Sequence, residues 1–200
     1  MKLSNIYKAK FKKFGVSPKS LLWKSRGAAH QRFREFWREI DFSGKSVLDI
    51  GCGFGEFGNF LTKRYINVAY KGVDITDSFI ESGHKLYPHL SLEVADFLTI
   101  TKAERFDIVV ASGVLNSNYQ SDNMNYRTSA IKKMFELTDG VLAFNMLGAH
   151  PQPKNNNESN IWYADSLKIL EYCMSLTRRV VFRSSYHPRD FTIFMYKVKK

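Results

Sequence analysis

The sequence predicts an α/β fold built on a seven-stranded, mostly parallel sheet with an antiparallel last strand and helices on both faces. Three observations support that prediction. Short runs rich in β-branched residues alternate along the chain with helical patterns. A glycine-rich turn stands between the first of these runs and the helix after it. The last two runs are joined only by residues 185–190, too few for the crossover helix that parallel neighbours need.

Seven segments have the composition of strands, with turn residues at their ends. They are Ser46–Ile50, Tyr70–Ile75, Leu90–Ala95, Asp107–Ser112, Val141–Met146, Arg179–Ser184 and Phe191–Val198. Because the connection between the last two is so short, we expect those two strands to pair antiparallel.

The segments between the strands have the periodicity of helices. We predict helices at about 54–65, 77–87, 123–138 and 164–177. Asp77 and Asp165 can each cap the helix that follows them. Upstream, four large apolar side chains recur at helical spacing and predict an amphipathic helix from Ala28 to Ile40 that packs on the body. They are Phe33, Phe36, Trp37 and Ile40.

The positive charge is concentrated at the start of the chain. The formal net charge is +11, and residues 1–45 carry twelve Lys or Arg against three acids. We therefore interpret residues 1–45 as a basic helical extension packed on the core, and residues 46–200 as one ligand-binding domain. The basic extension indicates either an anionic partner or an ordinary solvated helix face.

Cysteine usage and hydropathy bear on location. Cys52 and Cys173 lie far apart and form no CxxC pair, so neither a disulfide framework nor a metal site is predicted. The lysine-rich start lacks the apolar stretch of a signal peptide, and no segment has the length of a membrane span. A cytoplasmic protein is the expectation.

The most informative segment, residues 45–58, reads KSVLDIGCGFGEFG. Its glycines can adopt positive φ and allow a ligand to approach the backbone closely. Residues 53–58 also match GxGxxG, so a dinucleotide-binding protein is an alternative. Asp49 separates the two, because a carboxylate before the turn would repel a pyrophosphate and attract a cationic ligand.

This segment resembles the first motif of class I S-adenosylmethionine-dependent methyltransferases, a hydrophobic strand followed by D-x-G-x-G-x-G. Asp49, Gly51, Gly53 and Gly55 occupy its fixed positions. The resemblance implies a Rossmann-like methyltransferase fold that binds S-adenosylmethionine and releases S-adenosylhomocysteine. Segments such as 17–23 and 162–165 are similar to small bacterial members of unsettled substrate.

The family's later motifs follow in order. Asp74 ends the second strand, where the resemblance implies a ligand for both ribose hydroxyls. Asp96 and Phe97 follow the third strand, where it implies contacts to adenine. The cofactor-binding residues implied in this way are Asp49, Gly51, Cys52, Gly53, Gly55, Asp74, Ile75, Asp96, Phe97, Ser112 and Gly113.

Methyl transfer from a sulfonium is an in-line displacement that needs no covalent intermediate, so a general base is optional. His150 is the first candidate for a base, because imidazole titrates near neutral pH. Asn116, at the border of cofactor and acceptor, and Tyr163 complete the catalytic candidates. Weaker candidates on the same criteria are Tyr119, Tyr126, Asp165, His30 and His187.

Three functions remain open. The leading one is methylation of an oxygen or nitrogen on a small molecule or sugar, favoured by the compact chain and by a loop at 148–163 able to cover an acceptor. The second is RNA methylation through the basic extension with its interleaved aromatic residues. The third is a non-catalytic cofactor-binding domain. The acceptor atom and the oligomeric state are not encoded in any motif we find.

Overall fold

A computed structural model describes residues 3–23, 25–101, 103–118, 121–154 and 160–198. The chain divides into two compact units, Met1–Ile100 and Thr101–Lys200. The elements of the first unit are α1 (Leu3–Phe14), α2 (Arg26–Glu39), β1 (Ser46–Ile50), α3 (Glu56–Thr62), β2 (Ala69–Asp74), α4 (Asp77–Leu86) and β3 (Ser91–Val94), with short 3-10 helices at Pro18–Leu21 and Phe97–Thr99.

The three strands of the first unit form a parallel arrangement with β2 in the middle. Ser46 of β1 pairs with Ala69, and Lys71 of β2 pairs with Ser91 of β3. The predicted strand boundaries agree with these to within about one residue. Helix α3 is shorter than the helix predicted at 54–65. It begins two residues later, because Gly55 adopts a left-handed conformation (φ 87°) and leaves Phe54 in the turn, and it ends at Thr62.

Helix α4 corrects one capping prediction. Thr76 is the residue that precedes the helix, and Asp77 is its first residue and not its cap. The Asp77 carboxylate instead accepts a hydrogen bond from its neighbour Ser78 N (2.7 Å) and pairs with Lys8 Nζ (2.8 Å). A carboxylate in the first helical turn still interacts favourably with the helix dipole.

The N-terminal helices bury aromatic side chains within the first unit. On α1, Tyr7 and Phe11 each lie 5.9 Å from the ring of Phe79. Phe33 of the predicted amphipathic helix is 3% exposed and lies 5.0 Å from Phe57. The helix predicted from the aromatic periodicity is therefore present, and its apolar stripe is packed within the first unit.

Trp37 differs from the other members of that stripe. It remains 44% exposed, and the guanidinium of Arg64 lies 5.7 Å from its ring centroid. A residue at the edge of an amphipathic stripe can stay half in solvent, covered by a long cationic side chain.

The second unit carries the antiparallel strand. Its elements are β4 (Phe106–Ser112), α5 (Asn123–Glu136), β5 (Thr138–Ala149), β6 (Ala164–Asp165), α6 (Ser166–Leu176), β7 (Val180–Arg183) and β8 (Asp190–Tyr196), with a 3-10 turn at Val114–Asn116. Strand β4 pairs parallel with β5. Strand β8 runs antiparallel to both β5 and β7, which confirms the prediction made from the short final connection.

Strand β5 is longer than its predicted span of 141–146. The strand begins at Thr138, so Gly140 lies inside it. A Cβ at Gly140 would come within 2.5 Å of the Asp107 carbonyl oxygen, so this glycine serves a close backbone approach. At its other end β5 extends to Ala149, where the two-residue β6, which the sequence did not predict, pairs with it.

Among the described residues, no helix is both long and apolar enough to cross a lipid bilayer.

Candidate active site

The glycine turn, residues 51–55, follows β1 and is shaped by alternating positive φ angles. Gly51, Gly53 and Gly55 have φ values of 67°, 58° and 87°. The backbone N–H groups of Gly51 and Cys52 both donate to Val73 O, at 2.8 and 3.1 Å. Side chains other than glycine rarely adopt such angles, so the three glycines fix the path of the backbone.

Asp74, at the end of β2, holds the turn from the neighbouring strand. Its Oδ2 accepts a hydrogen bond from Gly53 N (3.1 Å), and its Oδ1 accepts one from Thr76 N (2.8 Å). Burial raises the pKa of the Asp74 carboxyl, and these backbone N–H donors oppose the shift. Since a carboxylate offers about four acceptor positions, Asp74 can bind the turn and still accept further hydrogen bonds.

Asp49 lies in β1 and is only 2% exposed. The hydroxyl of Tyr70, on the adjacent strand, donates to Asp49 Oδ2 at 2.6 Å. Burial raises the pKa of Asp49 to about 7, and the negative charge of nearby Asp74 adds to the increase. Near neutral pH Asp49 is therefore divided between its two protonation states, and a cation bound nearby would favour the carboxylate.

Cys52 has a packing role in the turn. A Cβ added at Gly72 would lie only 2.9 Å from both the Cβ and the Sγ of Cys52, so the Cys52 side chain fills the space beside this glycine. Burial raises the pKa of the Cys52 thiol well above its ordinary value, and the Asp49 and Asp74 charges raise it further. A protonated thiol is a poor nucleophile, so the thiol of Cys52 is suited to packing and not to covalent catalysis.

The segment before α2 covers the glycine turn. A Cβ on Gly53 would lie 2.9 Å from the Leu21 side chain. A small cavity beside it is lined by Ser17, Trp23, Arg26 and Glu56 among others, and Arg26 Nε lies 3.3 Å from Glu56 Oε1. The first unit thus presents the turn together with a cover from its own N-terminal segment.

Three more predicted residues stand at the tips of β2 and β3. Ile75 is half-buried, and Phe97 is 7% exposed. Asp96 is exposed and caps the following 3-10 helix by accepting a hydrogen bond from Leu98 N (3.0 Å). The two tips are linked, because Ala95 N donates to Asp74 O at 3.0 Å.

In the second unit, Asn145 of β5 holds the end of β4. Its Oδ1 accepts a hydrogen bond from Gly113 N (2.9 Å) and lies 3.4 Å from Ser112 Oγ. Asn145 is fully buried, whereas Ser112 and Gly113 are only partly so. The bond fixes Gly113, whose φ is 75°, at the start of the next loop.

Loop 114–118 follows Gly113, and Asn116 joins this loop to two other segments through hydrogen bonds. Asn116 Oδ1 accepts from Leu147 N (2.8 Å), and the Asn116 carbonyl accepts from Trp162 N (2.8 Å). One residue later, Ser117 forms an antiparallel bridge with Ile161. The loop is therefore paired with the segment that precedes β6.

Arg127 of α5 is the residue that the sequence motifs did not reveal. It is fully buried, and its guanidinium donates to Leu115 O (3.0 Å), to Ser117 O and to Asn123 Oδ1 (2.6 Å). Its guanidinium carbon also lies 4.5 Å from the centroid of the Trp162 ring. In the described part of the chain, Arg127 has no carboxylate partner.

His150 and Asp165 form a pair beyond the end of β5. His150 Nδ1 lies 3.2 Å from Asp165 Oδ1, and the His150 side chain is 52% exposed. Partial burial raises the pKa of the Asp165 carboxyl, but hydrogen bonds from His150 and from two α6 backbone N–H groups lower it by more, so the net shift of this pKa is downward. Asp165 also caps α6 as predicted. Nearby, Tyr163 is half-buried, and its carbonyl accepts from Gln152 Nε2 (2.6 Å).

The remaining candidates are dispersed. Tyr119 and residues 155–159 of the predicted covering loop lie outside the described residues. His30 packs against Phe60 in the first unit, and His187 accepts a hydrogen bond from Arg189 N in the β7–β8 connection. In the ranges that the structure describes, no group of three or more His, Cys, Asp or Glu side chains could hold a metal ion.

Comparisons with known proteins identify the family of the chain. A methyltransferase domain family matches residues 48–150. A Mycobacterium tuberculosis protein, named as a methyltransferase without a stated acceptor, is 23% identical over 158 residues, which is 76% of this chain and 93% of that protein. Longer curated relatives include an O-methyltransferase of ubiquinone biosynthesis from Coxiella burnetii, 34% identical over 89 residues, 42% of this chain. The chain spans only 26 to 39% of the length of these longer relatives.

Two solved structures share the fold over nearly the whole chain. Magnesium protoporphyrin IX methyltransferase from Synechocystis, with bound S-adenosylmethionine, has a TM-score of 0.69 at 14% identity and covers 99% of this chain and 98% of its own. An N-methyltransferase from Bradyrhizobium japonicum, with bound S-adenosylhomocysteine, has a TM-score of 0.67 at 20% identity, covering 98% and 100%. The fold class predicted from the sequence is confirmed.

Proposed function

This chain belongs to the methyltransferase domain family and is a class I enzyme that uses S-adenosylmethionine; from that premise we propose that it methylates an oxygen or nitrogen of a small molecule or sugar. The names of similar proteins support this acceptor class, since one is an O-methyltransferase of ubiquinone biosynthesis and another an N-methyltransferase. We expect the reaction to take place in the cytoplasm.

The cofactor residues fit S-adenosylmethionine, which supplies an electrophilic methyl group on a sulfonium sulfur when bound. Asp74 retains acceptor capacity for the ribose hydroxyls, and Asp96 with Phe97 would hold adenine. Asp49 and the glycine turn would hold the cationic methionine end. The fit follows from the bare glycine backbone and from the buried carboxylate that fixes it at Gly53 N, 3.1 Å away. Cys52, Ile75, Ser112 and Gly113 complete the proposed set.

The pairing of His150 with Asp165 is the single observation that carries the acceptor proposal. The Asp165 carboxylate at Nδ1 orients the imidazole ring and favours the tautomer whose Nε2 can accept a proton. Such a base suits hydroxyl or ammonium acceptors, which must lose a proton when they are methylated. Asn116 and Tyr163 would position the acceptor, and the Nδ2 group of Asn116 has no partner among the described residues.

A transfer screen with tritiated S-adenosylmethionine tests the proposal against pools of metabolites, sugars and RNA. For an acceptor found in this way, His150→Gln should lower kcat by about 100-fold or more. Asp165→Asn should also lower kcat, because the amide keeps the ring in place but no longer favours the tautomer whose Nε2 accepts the proton. His187→Gln is the matched control and should leave kcat unchanged. A wild-type rate for His150→Gln would show that the enzyme uses no base at this position.

A second candidate, RNA methylation, is favoured by a cluster of lysines on the extension that we propose for residues 1–45. The Nζ atoms of Lys10, Lys13 and Lys19 lie 5.9, 5.4 and 5.9 Å from the centroid of the Phe14 ring. The structure gives these three lysines no carboxylate partner within the described ranges, so the cluster could contact phosphates.

Salt dependence distinguishes this second candidate. Binding of bulk RNA through three lysines should weaken steeply as salt is raised, and replacing all three by glutamine should reduce the salt slope by about two to three. Binding that is absent, or that is insensitive to both salt and substitution, removes RNA from consideration. A protein that binds S-adenosylhomocysteine and methylates nothing in any pool would instead be a non-catalytic cofactor-binding domain.

A further inference from the structure

Loop 114–118 is held by an unusual buried group. Arg127 is 0% exposed, and its hydrogen-bond acceptors are two loop carbonyls together with the backbone carbonyl and the side-chain oxygen of Asn123. Burial lowers the pKa of Arg127 to about 10, so the guanidinium remains charged at neutral pH. Burying a cation without a carboxylate is costly unless each donor finds an oxygen, so the carbonyls of Leu115 and Ser117 must be held towards it.

Successive carbonyl groups of loop 114–118 accept hydrogen bonds from different partners. The carbonyls of residues 115 and 117 turn to Arg127, while the intervening Asn116 carbonyl accepts from Trp162 N at 2.8 Å. The same guanidinium lies over the Trp162 ring, 4.5 Å from its centroid. One side chain thus fixes both strands of the small antiparallel pairing between loop 114–118 and residues 160–162.

We propose that Arg127 is a positioning residue that fixes loop 114–118 and Trp162 as one wall of the acceptor site. The inference rests on the proposed function, because Asn116 and Tyr163 would contact the acceptor from these two segments. Arg127 touches neither acceptor nor cofactor in this scheme. It acts through the segments that it holds.

Arg127→Lys is the informative variant, because it retains the charge but cannot donate to Leu115 O and Ser117 O in a fixed fork. In a background with Trp23→Phe and Trp37→Phe, Trp162 is the only remaining tryptophan of the three in the sequence. We expect acrylamide to quench Trp162 at least about twofold more strongly in Arg127→Lys. For an acceptor from the screen, kcat/KM should fall at least about tenfold, and affinity for S-adenosylhomocysteine should change by less than about threefold.

Arg64→Lys is the matched control. Arg64 also donates to a backbone carbonyl, Phe60 O, and its guanidinium carbon lies 3.6 Å from the centroid of the Phe60 ring. This variant should leave both Trp162 quenching and transfer at the wild-type level. Should Arg127→Lys fail to fold, Asn123→Ala removes one acceptor while the guanidinium stays, and the same measurements decide.

Unchanged quenching of Trp162 in a folded variant would overturn the proposal, as would an unchanged kcat/KM. A screen that finds no acceptor would count against the proposed function only. The quenching experiment would still decide whether Arg127 holds the two segments.

Discussion

The glycine turn after β1 and loop 114–118 after β4 both follow a parallel strand, yet they are held by different means. In the turn, glycines with positive φ define the backbone, and one carboxylate, Asp74, ties it to the next strand. Loop 114–118 contains no glycine; it follows Gly113 and is fixed by the buried side chains of Asn145 and Arg127. Backbone conformation shapes the proposed S-adenosylmethionine site, and side-chain contacts shape the wall that we propose for the acceptor site.

The comparison predicts that the turn depends most on Asp74. Asp74→Ala removes the acceptor of Gly53 N and the proposed ribose ligand together. Affinity for S-adenosylhomocysteine should fall about 100- to 1,000-fold, roughly 3–4 kcal/mol. Isothermal titration calorimetry measures it. The control is Asp77→Ala, whose carboxylate is exposed and paired with Lys8, and it should bind normally. If both variants bind alike, Asp74 is not the ribose ligand.

The turn also predicts a pH dependence that the loop should lack. Asp49 has a pKa of about 7 in the folded chain against an ordinary 3.8, so the folded state holds a proton that the unfolded state has released. Stability should therefore decrease as pH rises from about 4 to 7. Asp49→Asn cannot titrate and keeps the acceptor for Tyr70, so relative to wild type it should gain about 2–3 kcal/mol across that window.

Urea unfolding at several pH values measures this difference. Asp41 supplies the control of opposite sign, because hydrogen bonds from Ser43 N and Oγ lower the pKa of this exposed carboxyl. Asp41→Asn should lose a little stability relative to wild type above about pH 4 and none at lower pH. A flat difference for Asp49→Asn between pH 4 and 8 would mean that Asp49 is ionised throughout.

The smallest expected effect concerns the junction of β4 with its loop. Asn145→Ala leaves the Gly113 N–H without its acceptor and should lower the free energy of unfolding by about 1–2 kcal/mol. It should leave the pH dependence due to Asp49 unchanged. Thermal or urea unfolding checks both points. The exposed Asn125→Ala on α5 should remain within about 0.5 kcal/mol of wild type. An equal loss in the two variants would contradict a special role for Asn145.

Sequence patterns predicted the glycine turn well because its requirements are local. Gly51, Gly53 and Gly55 are needed for three backbone conformations, and any residue with a Cβ would be strained there. The role of Asp74, at the end of the second strand, was implied by the resemblance to the methyltransferase family. Its bond to Gly53 N requires only that β1 and β2 be neighbours, as consecutive strands usually are.

The contacts of the second unit were less predictable. His150 was a candidate and Asp165 an expected cap, but their pairing depends on β6, whose Asp165 lies beside Ala149 of β5. A two-residue strand leaves no periodic signal in a sequence. Arg127 lies within an ordinary helical pattern. Because arginine is rarely fully buried, that pattern predicts that the apolar neighbours of Arg127 face the core and that Arg127 does not.

The amino-acid sequence by itself predicted the alternation of strands and helices and the glycine turn, because both follow from backbone conformation or short-range periodicity. The acids at the strand tips were implied by the resemblance of the motifs to the methyltransferase family. Only the tertiary structure decided that Tyr70 donates to Asp49, that Arg127 binds two loop carbonyls and that His150 meets Asp165. These contacts join residues 10 to 21 positions apart, and which polar side chain meets which oxygen depends on how the elements pack.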